Sequence, residues 1–261
     1  MRGEGHAEHS NGSPLRMHSG GFPFRSCHRM RPTCGPESAR RRHYVYHASQ
    51  DERERIKQAH LLLAAANAMQ PGVFSLSSWD LVGALPISER SVADRVADGD
   101  WRWINRGGVD LMGANRKSTA SAFGIERAKS LYGSLPEQLS DRRSFVSQLR
   151  EILAARRNYR LCEGELVAVP DLKNKACCVL LMRVPGAYLG AVTALNFSKQ
   201  QLDEQVSLVP LLKRDAQNPT AGSAINILTE DRLPLSKEGS LAIQIPGHSF
   251  RTFVIERANA W

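Results

Sequence analysis

The stretch Gln70-Pro-Gly-Val-Phe-Ser-Leu-Ser-Ser-Trp-Asp-Leu-Val-Gly83 decides how the chain reads. Its proline–glycine pair ends any preceding helix, because the residue before a proline is pushed out of the α region. Val73–Ser77 is then too short for a helix and reads as a buried parallel strand. Beyond it the chain runs through Trp79 and Asp80 into a long glycine-rich connection, residues 78–134. A strand that opens into a long loop is the pattern of a parallel α/β protein, whose functional groups gather at the carboxyl ends of the strands.

Upstream, Ser49 and Glu52 have the spacing of a capping box, which predicts a helix from there to about Met69. Ile56, Ala59, Leu62, Leu63 and Ala66 supply its expected buried stripe. Downstream, Ser91–Ala97 suggests a short helical piece, and a second long helix is expected over about Asp141–Arg157. Phe145, Leu149, Ile152 and Leu153 recur at helical spacing there, and Arg156 and Arg157 sit where they complement the dipole of that helix. After Asn158 the texture changes to short runs separated by turn residues. Leu166–Val169, Ala176–Val184, Leu189–Phe197, Gln205–Val209, Ile225–Leu228, Leu241–Ile245 and Phe250–Glu256 are the strands expected of an antiparallel β-sandwich.

Residues 1–43 differ from all of this. They hold eight arginines, no lysine and three glutamates, so more than half of the chain's net charge of +9 lies in the tail. With almost no aliphatic residues, this stretch cannot offset its ordering entropy and is expected to be a disordered basic tail. Nucleic-acid binding is disfavoured, because the basic residues carry no interleaved aromatics and no recognition motif. No apolar run approaches the length of a membrane span and no signal sequence is visible, so the cytoplasm is the expected compartment. The five cysteines, Cys27, Cys34, Cys162, Cys177 and Cys178, are odd in number and fit neither a disulfide framework nor a zinc pattern. No metal and no cofactor is expected.

The candidate binding residues are Trp79, Asp80, Trp101, Trp103, Asn105 and Arg106, with Asp100 beside them. Indole faces next to Asp, Asn and Arg suit a sugar, whose ring is apolar on its faces and hydroxylated at its rim. Packing competes with that reading. Trp79 can fill space under the loop, Asp80 can cap a turn, and Trp101 and Trp103 point oppositely if extended. Asn196-Phe197 reads as structural, with Phe in the core and Asn at a turn. His248 reads as exposed, and one of Cys177 and Cys178 as buried.

Several segments together resemble the end of the catalytic barrel and the C-terminal domain of the α-amylase superfamily, nearest to trehalose synthases (maltose α-D-glucosyltransferases). Besides the stretch above and Trp101-Arg-Trp-Ile-Asn-Arg106, they are Ser147–Arg156, Tyr159–Leu166, Val192-Thr-Ala-Leu-Asn-Phe-Ser198 and Ser240–Phe250. The resemblance implies a tail (1–43), the last strand and helices of a TIM-type (β/α)8 barrel (44–158) and an all-β C-terminal domain (159–257). It implies an α-glucoside such as maltose, trehalose or glucan as ligand, and a partner chain supplying the rest of the barrel. If Val73–Ser77 matches the eighth strand, the family's catalytic carboxylates all lie upstream of Tyr44. Residues 1–43 contain no Asp, and their Glu4, Glu8 and Glu37 sit in sequence unable to hold a catalytic geometry. The expectation is a chain with no catalytic residues of its own, with a non-catalytic sugar-binding or assembly module, or a gene remnant without function, as the alternatives.

Overall fold

The computed structural model describes residues 48–96, 99–212 and 221–257. The tail at 1–43, the start of order near Tyr44, and Cys27 and Cys34 lie outside the described residues.

Helix α1 spans Gln50–Ala68, and the capping box is present: Ser49 accepts from the Glu52 amide at 3.3 Å while Glu52 accepts from the Ser49 amide at 2.8 Å. A four-residue helix α2, Ser78–Leu81, follows. The long connection holds two 3₁₀ segments, Glu89–Arg95 and Trp101–Asn105, and leads to α3, Leu135–Ser140, and α4, Phe145–Asn158. Thereafter come β1 (Glu165–Ala168), β2 (Cys177–Arg183), β3 (Tyr188–Asn196), β4 (Leu202–Ser207) and a short α5 (Val209–Leu212). They are followed by β5 (Ala221–Asn226), β6 (Arg232–Pro234), β7 (Ser240–Ile245) and β8 (Ser249–Arg257). The seven expected strands are all present within a few residues, and β6 is an addition.

The strands form an antiparallel six-stranded sheet in the order β1-β2-β3-β8-β5-β6 and a two-stranded sheet of β4 and β7. Side chains alternate across the large sheet. From β2, Cys177, Val179 and Leu181 meet Val206, Leu241, Ile243 and Ile245 of the small sheet. Leu180 and Met182, with Ala191, Leu195, Phe250 and Val254 of β3 and β8, face the opposite way. There they pack on Leu62, Ala65, Ala68 and Met69 from the α1 side and on Ile152 and Ala155 of α4. Thr193 and Thr252 lie directly opposite each other in the β3–β8 register and share a buried hydrogen bond of 3.1 Å. The result is three layers, helices on one face of the large sheet and two strands on the other.

Four expectations are corrected. Val73–Ser77 forms no strand: its residues carry no ladder, and Val73 is 94% exposed. Phe74 and Leu76 do point inward, against Ala64, Phe145 and Leu149, so the period-two pattern survives without a strand to pair with. The stripe of α1 is rotated. His60, Leu62, Ala64, Ala65 and Ala68 are buried, because small alanines let the helix approach the sheet and α4 closely. Phe197 is exposed and Asn196 fully buried, the reverse of their expected placement. The Asn196 amide donates to the carbonyls of Gln200, Ile245 and Pro246 at 2.7, 3.0 and 3.0 Å, tying β3 to the end of β7. His248 is half-buried in its turn and its amide donates to the Ser198 carbonyl. Cys177 is buried as expected, and burial pushes its thiol up to about 11.

Arg156 and Arg157 lie in the last turn of α4 as expected. The Arg156 guanidinium also donates to the carbonyls of Ala68, Gln70 and Gly72, where α1 ends. Helix α1 has no basic residue in its last turn, so α4 delivers the missing cation across the layer. Gly72 follows with φ of +91°, a conformation that disfavours side chains with a Cβ.

Arg156→Met should lower stability by about 3 kcal/mol, since three carbonyls lose a charged donor at once. Arg156→Lys should recover only part of that, because an ammonium lacks the planar fork. Urea midpoints of the three proteins check this. A chain starting at Tyr159 leaves Leu180, Met182, Ala191 and Val254 without their helical cover. It is expected to associate at concentrations where the full chain does not, as light scattering would show.

Candidate functional site

The connection between α2 and α3 folds on its own small core of Ile87, Val92 and Ala128, against which Trp103, Ile104, Val109 and Ile125 pack. Two approaches hold it together. The Trp79 indole donates to the Gly107 carbonyl at 2.7 Å, so the start of the connection is pinned to its middle. At Gly107 a Cβ would overlap Ile87 and Ala128, which explains a glycine there.

The residues singled out from sequence fall into two groups. Asp80 is buried and acts as a cap: it accepts from the Ser77 hydroxyl at 2.6 Å and the Ser77 amide at 3.2 Å. Trp101, Trp103, Asn105 and Arg106 share one 3₁₀ turn and its C-cap, all half-buried. Both Arg106 and Arg95 lie over the Trp103 ring, with guanidinium carbons 4.7 and 5.5 Å from its centroid. Asp100 caps this turn through the Arg102 amide and forms a bidentate pair with the Arg102 guanidinium at 2.6 and 2.8 Å. Those hydrogen bonds hold its carboxyl down at about 2. Trp79 and the Trp101–Arg106 turn are thus joined through Gly107, while Asp80 faces the helical layer.

Beneath Asp80 lies a cluster that sequence reasoning missed. His60 of α1 is buried, with Nδ1 2.9 Å from the Tyr132 hydroxyl and Nε2 3.9 Å from Asp80. Its ring stacks on Phe145 at 4.4 Å and on Tyr132 at 5.8 Å between centroids. Burial holds the imidazole down to about 4, although the Asp80 charge draws it upward. The same burial raises the Tyr132 phenol. The available signal was a histidine in an otherwise apolar and alanine-rich run, His60-Leu-Leu-Leu-Ala-Ala-Ala66.

A second omission is a cleft of about 550 Å³ between Val82 and the segment Val109–Ser130. Asp110, Ser118, Thr119, Glu126, Arg127 and Lys129 supply its polar wall. Asp110 accepts from the amides of Ala114 and Asn115 at 3.1 and 2.8 Å and from Arg127 at 3.3 Å. Burial works to raise the Asp110 carboxyl, but these backbone donors and the Arg127 charge outweigh it and the net direction is down. Scattered polar residues in a loop carry no periodicity, so nothing in the sequence brings them together. Among the described residues no group of His, Cys, Asp and Glu is arranged to hold a metal ion. Nor is any helix there long and apolar enough to cross a membrane.

Solved structures with the same architecture are known. Amy13B of Eubacterium rectale is 16% identical, with a TM-score of 0.53 over 82% of this chain and 37% of that chain. AmyP in complex with maltose is 12% identical, with a TM-score of 0.52 over 82% and 37%. An isomaltulose synthase from Erwinia rhapontici, in complex with D-glucose, is 10% identical, with a TM-score of 0.50 over 76% and 38%. The neighbours are enzymes of the α-amylase family. At these identities the likeness is one of fold, and the matching part is their C-terminal region. The chain spans less than two fifths of the length of each. No protein-family profile matches the chain, and no curated protein sequence matches it.

The His60 cluster predicts an acid-sensitive fold. A histidine at 6.5 in the unfolded chain and about 4 in the folded one contributes its full stability above pH 6.5. That contribution is lost as pH falls from 6.5 towards 4 and amounts to about 3 kcal/mol. Asp100, at about 2, stays charged across that window. Urea midpoints between pH 7 and 4.5 should fall for the native chain and fall much less for His60→Gln.

Proposed function

We propose that this chain corresponds to the C-terminal portion of an α-amylase-family enzyme acting on α-glucosides, nearest to trehalose synthases, and that alone it turns over no glycoside. The observation that carries the reading is the asymmetry of the match: most of this chain, but only 37–38% of each neighbour. Residues 44–158 then stand for the end of the catalytic barrel and 159–257 for the all-β domain. A chain bearing the rest of the barrel is the corresponding partner, and the cytoplasm the corresponding compartment.

The chemistry of the site supports the absence of turnover. Retaining cleavage of a glycoside needs two carboxyl groups about 5 Å apart across the scissile bond. Three aspartates of the candidate region are engaged locally: Asp80 by Ser77, Asp100 by Arg102, Asp110 by two amides and Arg127. Within this reading Trp79, Trp101, Trp103, Asn105 and Arg106 shape one wall of a substrate cleft, and the buried Asp80 holds the turn that carries Trp79. Trp103 holds the Arg106 guanidinium by stacking, so that Arg106 and Asn105 meet sugar hydroxyls.

Purified chain incubated with maltose, with trehalose and with a soluble glucan should release no glucose and interconvert no disaccharide. Sustained turnover that Asp80→Asn abolishes would overturn the proposal. Trehalose formation on adding a chain that carries the missing barrel segment, and not with either chain alone, is the positive expectation.

A further inference from the structure

The connection between α2 and α3 closes on itself at a narrow neck. A bridge joins Ala84 to Ser130 there. Around it the Leu85 amide donates to the Lys129 carbonyl at 2.8 Å, the Leu131 amide to the Gly83 carbonyl at 3.0 Å and the Tyr132 amide to the Val82 carbonyl at 3.2 Å. Beyond the neck the connection packs on its own core of Ile87, Val92 and Ala128, which shares no residue with the clusters that pack on the large sheet. A segment closed at its base and cored by itself opens as one unit, at a smaller cost than unfolding the whole molecule.

Side chains tie this neck to the helical layer. Gln138 of α3 donates to the carbonyls of Leu81 and Gly133, just outside it, at 2.8 and 3.2 Å. Tyr132 lies in the neck itself: its ring stacks on Phe145 of α4 at 5.1 Å, and its hydroxyl meets Nδ1 of His60 in α1 at 2.9 Å. The tautomer follows from the neighbours. With Nε2 3.9 Å from an Asp80 carboxylate oxygen, the proton belongs on Nε2, and Nδ1 accepts from the Tyr132 hydroxyl. A second proton on the ring occupies Nδ1, so two donors meet and Tyr132 loses its acceptor. The charges around the imidazole are Asp80 on α2, which draws its pKa upward, and Glu54 and Lys57 nearer the start of α1. Glu54 and Lys57 pair with each other at 2.7 Å, and Lys57 also donates to the Arg143 carbonyl ahead of α4. From α4 the ring meets Phe145.

We infer that the His60–Tyr132 contact is an acid-operated latch: protonation of His60 opens the neck of the connection while the helices and both sheets stay folded. The imidazole is neutral in the closed and the open form above pH 6.5, so there the latch holds. Below 6.5 the open form takes up a proton that the closed form, at about 4, still refuses, and opening becomes easier until pH falls to about 4. The latch needs no ligand and no second chain, so it stands or falls apart from the α-glucosidic reading.

The test is hydrogen exchange of the full chain at pH 7 and pH 4.5, resolved by amide and corrected for intrinsic rates. The amides of Leu85, Leu131 and Tyr132 should lose roughly fiftyfold in protection between the two, the factor set by a histidine at 6.5 when open and about 4 when closed. At both pH values they should exchange roughly tenfold or more faster than the amides of Val192 in β3 and Val254 in β8. His60→Gln should remove the pH response. Tyr132→Phe, which keeps the stacked ring, should speed exchange at the neck roughly fivefold already at pH 7. Neck and strand amides exchanging at one common rate would mean that only the whole molecule opens, and would overturn the inference. Equal neck protection at pH 7 and 4.5 would do so too, as would a pH response that survives in His60→Gln. Should His60→Gln fail to fold, Tyr132→Phe decides, and an unchanged neck in that variant sinks the latch.

Discussion

A buried arginine at the end of one helix closes the end of another, and the layering of the molecule follows from it. Helix α1 ends in a run of small residues with no cation to meet its carbonyls. Arg156 reaches across from α4 and satisfies those of Ala68, Gln70 and Gly72 together. The negative end of the α1 dipole stands where a carboxylate counter-ion is usually found. Burial pushes the guanidinium down from its ordinary value, yet its range leaves it charged. With the two helices locked end to side, they present one apolar surface, and the large sheet has only that surface to bury its helix-facing residues against.

That surface makes the β region dependent on the helices. β3 is buried along nearly its whole length, because helices cover one of its faces and β4 and β7 the other. An antiparallel sheet with one solvated face alternates apolar and polar residues, whereas Leu189–Leu195 is almost uniformly apolar. The run from β3 already called for cover on both sides. The expectation of a sandwich whose strands satisfy one another accounts for one face of the large sheet and leaves the other bare.

The strands, both long helices and the Ser49 capping box were legible because each depends on neighbours close in sequence. What escaped depends on partners far away. Arg156 and Gln70 are 86 residues apart, and His60 and Tyr132 are 72 apart. Val73–Ser77 shows the other limit of local reading: an apolar, period-two run specifies an extended backbone, but a ladder requires neighbours, and none is present among the described residues. For the site, Trp79 and the Trp101–Arg106 turn were legible as a cluster, and the structure joins them through Gly107. The cleft was not, because Val82, Asp110, Thr119 and Lys129 come together only once the connection has folded.

The acidic residues show why composition alone misleads about chemistry here. Glu52, Asp80 and Glu137 each stand three residues after a serine and each closes a capping box, with Ser49, Ser77 and Ser134. A carboxylate that accepts a backbone amide and a serine hydroxyl has committed one of its two oxygens to the fold. Asp100 and Asp110 are committed in the same way, one to Arg102 and the other to a turn and Arg127. Asp80 and Asp100, each beside a tryptophan, thus both serve to cap a turn.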